Sequence, residues 1–345
     1  MRKGVIGLAA FFGTTRDGQT VGMHILQNEL GRVQLLDYGC SIQSLVFDGR
    51  DLVLGYDDLA GYEQGSMLIG AFVGRCVNRI LGGRFRIDER SFQLPKNDGE
   101  NHIHGIYPKS VFSAEEEENQ VTFRRRSPDG EEGYPGTVEI QVRFRLEPPF
   151  RLILDVDAEA DQDTIFSPAF HPYFNLSGDP QRAISDHLLQ INAEQYTPFD
   201  NTLCPTGELR SVAGTSLDFR TPKPLGPVIR AKDCGIPTAK GVDHNFVLND
   251  EAGTAAALWC PESGICLRIE TTQPGLQVYT GNDLTLDAAP CGKNGIRYAD
   301  YSGVALETQH FPNTPNCPDF PSILLRRGAH YHQRTVYALS KEKPI

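Results

Sequence analysis

Apolar and polar residues alternate along much of this chain. In residues 121–125 (VTFRR), 138–146 (VEIQVRFRL) and 151–158 (RLILDVDA) an apolar side chain recurs at every second position. That period predicts half-buried strands. Shorter apolar runs at 33–36, 45–47, 85–87, 188–191, 255–259, 266–269 and 335–338 read the same way. The 34 glycines and 23 prolines interrupt the sequence at short intervals, and no amphipathic helix longer than about three turns is visible. The pattern predicts an all-β chain, a large antiparallel β-sandwich with few short helices, forming a single domain over residues 1–345. The four-glutamate stretch at 114–119 is expected to be a solvated loop, and the proline-rich stretch at 221–227 resembles a linker.

Charge and cysteine usage narrow the class. The chain carries 33 basic and 44 acidic side chains, a net charge of -11, which disfavours nucleic acid as a partner. Eight cysteines lie scattered with no C-x-x-C pair, so a zinc ribbon or redox dithiol is not expected and a cytoplasmic setting is. The start, MRKGVIGLAAFF, has basic residues before a short apolar run, but the run stops at Gly13 without a small-x-small cleavage pattern. No signal peptide is expected. No run approaches the roughly 18 apolar residues of a membrane helix, so no membrane partner is expected either.

Candidate chemistry clusters in six short segments. Glu307 stands alone among uncharged groups in LETQHFPNTPN. A carboxylate held there is either a turn cap or a partly desolvated general base, its geometry fixed by Thr308, Gln309 and Asn313. In SPAFHPYFNLSG, His171 lies between prolines and aromatics. It reads as a core histidine or an aimed proton donor, with Phe170, Tyr173 and Phe174 as a wall for a sugar ring. His102 and His104 in NHIHG should share one side of an extended segment, suiting a polar cleft or a metal, yet no companion ligand spacing supports a metal. Asn78 and Arg79 in GRCVNRI, Asp243 in GVDHNF, and Gln277 with Tyr279 in TTQPGLQVYTGN offer uncharged and charged hydrogen-bonding groups. Phosphate-cradle, dinucleotide and serine-elbow spacings are absent. What remains points to recognition of neutral polar molecules, as in acid–base carbohydrate chemistry. A sugar-binding module without turnover and a metal-dependent enzyme using His102, His104 and His171 are the alternatives.

Together these ordered motifs, with FGTTRDGQTV near the start, resemble the aldose 1-epimerases of the galactose mutarotase type. The resemblance implies the large antiparallel β-sandwich called a supersandwich. It implies interconversion of the α and β anomers of a free aldose without cofactor or metal, by a monomer or homodimer whose partner is a monosaccharide. By motif, Glu307 would be the base and His171 the proton donor. Asn78, Arg79, His104, Tyr173, Asp243 and Gln277 would bind the sugar. Pro172 and Ile106 replace residues usual in the family, serine and glycine respectively, and both bear on the choice of aldose. No basic cluster suited to a sugar phosphate accompanies the motifs.

Overall fold

A computed structural model describes residues 9–235, 240–249, 253–289 and 291–343. The alternating segments build a nine-stranded antiparallel sheet. Across it run Ser113–Glu117, Gln120–Ser127, Val138–Glu147, Arg151–Ala160, His330–Ser340, Cys266–Thr271, Ala256–Trp259, Leu188–Ile191 and Lys223–Pro224. A six-stranded sheet follows the order Tyr173–Phe174, Val304–Gln309, Gly275–Tyr279, Asp243–Leu248, Ala193–Thr197 and Arg210–Ser211. A five-stranded meander occupies Ala10–Thr14 through Arg50–Asp51. Among the described residues the α-helices are Leu59–Gln64 and Leu225–Ile229, and no helix is long and apolar enough to cross a membrane.

The two larger sheets bury one face each against the other. Phe144, Leu154, Val156, Leu267, Ile269 and Tyr337 share a core with Phe246, Leu276, Val278, Val304 and Leu306. Full burial of such a side chain contributes about 1.5–3 kcal/mol. Between the sheets, the hydroxyls of Thr308 and Thr335 meet at 2.6 Å, so that buried polar pair satisfies itself. Because side chains alternate across a strand, burying Val304, Leu306 and Thr308 sends Ala305, Glu307 and Gln309 to the far side of the six-stranded sheet. That face carries the site.

Two segments differ from the sequence expectation. The glutamate-rich stretch is mostly strand, Ser113–Glu117, paired residue for residue with Gln120–Ser127. Its charges serve an edge position, where acidic side chains discourage further pairing. The proline-rich stretch contributes the short strand Lys223–Pro224 and then the helix Leu225–Ile229, whose Leu225 and Val228 enter the core. It is part of the body and not a linker. All eight cysteines are unpaired.

Candidate active site

Cross-strand register assembles the floor of the site. Asp243 stands opposite Tyr279, which stands opposite Ala305. In the next row Asn245 faces Gln277, and Gln277 faces Glu307. Partners in register share a face at close range, so segments distant in sequence deliver two acids, two amides and a tyrosine to one surface. Tyr173 pairs with Ala305 from the other side, bringing His171 just ahead of it. Above this floor lies a cavity of about 530 Å³ lined by Asn78, Arg79, Asp98, His104, His171, Tyr173, Asp243, Tyr279 and Glu307, among others.

His171 Nε2 lies 3.6 Å from Glu307 Oε1, and both side chains are almost fully buried. Burial pushes the Glu307 carboxyl well above its usual value, with Asp243 adding to the rise and Arg79 opposing it. Burial likewise pulls His171 down to about 4. Each group is therefore driven toward its neutral form. Tyr173 tilts against the His171 ring at 4.8 Å between centroids, and its hydroxyl donates to the Met67 carbonyl at 3.2 Å. Lys109 donates to the carbonyls of Tyr62, Glu63 and Gly65, which caps the helix Leu59–Gln64 and fixes the wall that carries Met67.

The opposite wall is built on two left-handed residues, Asn78 at φ 61° and His104 at φ 59°. Asn78 N–H donates to His104 Nδ1 at 3.3 Å. A neutral imidazole there carries its hydrogen on Nε2 and is a donor. Burial, together with the neighbouring His171, Arg79 and His102, keeps His104 well below the usual histidine range. Arg79 Nε donates to Asp98 Oδ2 at 2.6 Å, and its Nη1 lies 3.7 Å from Asp243 Oδ2. The guanidinium is thus held between two carboxylates, of which Asp98 is the more exposed. Strained backbone of this kind persists where surrounding structure holds it, commonly at functional sites.

Several expected residues are placed differently. Gln277 does not line the cavity. Its amide donates to Asp243 Oδ1 at 2.6 Å from behind. His102 is turned away, donating to the Pro95 carbonyl and accepting from Tyr134; the left-handed turn at His104 breaks the shared side that extended geometry predicts. Phe170 and Phe174 lie in the core, leaving Tyr173 as the flat ring of that segment in the cavity. The side chains of Thr308, Gln309 and Asn313 direct their hydrogen bonds elsewhere than to Glu307. Thr308 bonds across the core, Gln309 donates to the His310 carbonyl, and Asn313 accepts from Leu81 N–H. Asp98, Lys109, Lys240 and Asp283 also line the cavity and were not singled out from sequence. They sit outside the long alternating strands, Lys109 at the end of the short 3-10 helix Tyr107–Lys109, where no periodic signal marks them.

Buried atoms without a protein hydrogen-bond partner gather beneath this cavity: Glu307 Oε2, His171 Nδ1, Gln277 Oε1 and both amide atoms of Asn245. A polar atom left so costs about 1–3 kcal/mol. A polar ligand or ordered water accounts for such a group.

Comparison with known proteins places the chain in a family. Residues 23–338 match the family model described as Aldose 1-epimerase. The chain is 40% identical to galactose mutarotase of Homo sapiens over 342 residues, covering 96% of this chain and 98% of that one. It is 34% identical to aldose 1-epimerase of Escherichia coli strain K12, covering 94% and 97%. Among solved structures, the aldose epimerase homologue from C. elegans superposes with a TM-score of 0.85 at 29% identity, covering 93% of this chain and 99% of that one. The galactose 1-epimerase of Lactobacillus acidophilus NCFM gives 0.85 at 27%, covering 96% and 97%. With strand-rich sheets of this type, a polar cavity and full-length similarity together, the chain belongs to the aldose 1-epimerase family of isomerases.

Proposed function

We propose that this chain interconverts the α and β anomers of a free aldohexose by cofactor-free ring opening, with Glu307 as base and His171 as acid. The observation that carries the reading is the 3.6 Å approach of these two buried groups on the cavity wall. Glu307 takes the proton of the anomeric hydroxyl while His171 gives one to the ring oxygen. The bond from carbon one to the ring oxygen breaks, and carbon one becomes an aldehyde. After rotation about the bond between carbons one and two, the same steps run backwards on the other carbonyl face.

Proton bookkeeping supports the assignment. The reactive pair, carboxylate and imidazolium, holds one proton, and so does the pair after ring opening, carboxylic acid and neutral imidazole. Burial favours the second arrangement, as the upward shift of Glu307 and the downward shift of His171 indicate. Two buried charges are thus removed in the step that opens the ring. Asn78, Arg79, His104 and Asp243 would hold the hydroxyls, Tyr173 would face the ring, and Gln277 would act through Asp243. The relatives named galactose mutarotase place galactose first among candidate substrates.

Polarimetry on freshly dissolved α-D-galactose and α-D-glucose tests this. The wild type is expected to speed equilibration. An unaccelerated approach to equilibrium across a panel of aldoses would falsify the assignment, and an undiminished rate in Glu307→Gln would remove Glu307 as the base.

A further inference from the structure

The outer face of the nine-stranded sheet carries a second cluster of ligating side chains. His330 and His332 begin the strand His330–Ser340 and are exposed, while Gln333 and Thr335 are buried. Their spacing of two sends both imidazoles to one face. On the neighbouring strand Arg151–Ala160, Glu159 stands opposite His330 and Asp157 opposite His332, so two carboxylates rise beside two imidazoles.

The imidazoles converge on a single oxygen. His330 Nε2 and His332 Nδ1 each lie 3.0 Å from Asp157 Oδ1, and one ligand atom from each of the three residues falls within 4.8 Å of the others. Glu159 Oε1 lies 3.8 Å from His330 Nδ1. The second oxygen of Asp157 is held by Arg143 at 2.5 Å, which orients the carboxylate and leaves Oδ1 toward the histidines, as a supporting partner does for a metal ligand. Asp155 Oδ1, 3.9 Å from His332 Nε2, is neutralised by Arg334. Glu139 stands in register beyond Glu159. The surroundings favour a cation.

We propose that Asp157, His330 and His332 bind a divalent transition-metal ion of the zinc class, with Glu159 or water completing the shell. Two imidazoles and a carboxylate suit zinc, copper or nickel and not calcium or magnesium, which take oxygen ligands. Zinc bonds of about 2.0–2.2 Å to nitrogen and oxygen set tetrahedral ligand atoms roughly 3.3–3.5 Å apart, so each imidazole nitrogen, 3.0 Å from Asp157 Oδ1, need move only slightly outward to admit the ion, and rotation of two exposed imidazoles on a rigid sheet supplies that. The ion would clamp the strand His330–Ser340 to Arg151–Ala160. It would lie on the opposite side of that strand from Thr335, whose hydroxyl meets Thr308 beside Glu307. The site is therefore separate from the cavity, and its role is structural.

Calorimetric titration of zinc chloride into the metal-free full-length chain tests this, together with thermal melting with and without zinc. One ion per chain is expected, with a melting temperature that rises with zinc concentration, since a ligand that binds the folded state stabilises it. The His330→Ala/His332→Ala double variant, and His332→Ala alone as a milder change, are expected to bind zinc at least tenfold more weakly and to lose the melting shift. Both should keep the wild-type rate of anomer equilibration without zinc. Calcium chloride should give neither heat nor shift in the wild type. Equal zinc binding by wild type and double variant, or no zinc response in the wild type, overturns the proposal.

Discussion

Glu307 and His171 form a couple whose acid–base character comes from being buried together. Replacing Glu307 by Gln removes the proposed base while keeping the shape, and a loss of about 10²–10⁴-fold in kcat is expected by polarimetry. The same change should raise stability. A carboxyl whose folded value lies above its unfolded one contributes stability that is full below about 4.5 and lost as pH rises through the folded value. By neutral pH, above the unfolded value, the wild type has lost at least part of that contribution and the glutamine has nothing to lose, so Glu307→Gln should melt higher at pH 7 than the wild type and lose the advantage by pH 4. Activity should fall in acid as the couple takes up a second proton, with His171 drawn down to about 4. A pH profile of kcat/KM whose acid limb lies near 6.5 would contradict that placement.

At the scale of elements, strand register and loop bonds decide which of these residues meet. Tyr279, Gln277 and Glu307 share a face because the strands Gly275–Tyr279 and Val304–Gln309 pair in one register; a slip of one residue would send Glu307 into the core. Part of this was legible: the break at Pro274 and Gly275 and the alternation after it give Gln277 and Tyr279 a common face. That Gln277 would stop behind Asp243 was not, because the length of a side chain's reach depends on a partner strand the sequence does not place. Loop bonds can be tested directly. Asp98→Ala frees the Arg79 guanidinium, and kcat/KM should fall about tenfold, mostly through KM, as expected for one charge-assisted hydrogen bond of ~1.5 kcal/mol. Elsewhere, His24 joins the meander to the edge strand Ser113–Glu117 by bonding both Asp37 and Glu116. Burial opposes its charge, but those two bonds outweigh burial and raise its value. Its contribution is full below about 6.5 and is lost as pH rises through the folded value. The stability gap between wild type and His24→Gln, measured by urea unfolding, should therefore narrow from pH 6 to pH 9.

At the scale of the whole molecule, the sandwich core holds the segment that carries His171 in place. Phe144 packs edge-on against both Phe123 and Phe170, and Phe170 directly precedes His171. Phe144→Ala should lower unfolding free energy by about 3–5 kcal/mol in urea titration, with a fall in kcat beyond the unfolded fraction, because the support of His171 is loosened. The sequence by itself determined the strand-rich class, through period-two alternation and frequent turns, and the chemical types that meet in the cavity, through short ordered motifs. Both are local properties, written in neighbouring residues. Only the tertiary structure decided that His102 turns away while His104 turns in, that Phe170 and Phe174 support the site from the core, that Asp98 steadies Arg79 across 19 residues, and that Asp157 meets His330 and His332. Those outcomes depend on strand pairing and on single left-handed residues, and neither is fixed by composition or spacing. Glu307 shows the division most plainly: its neighbours in sequence were chemically suitable supports, yet the groups that set its acidity are the desolvating sheet and loops around it, Asp243 and Arg79, all brought to it by folding.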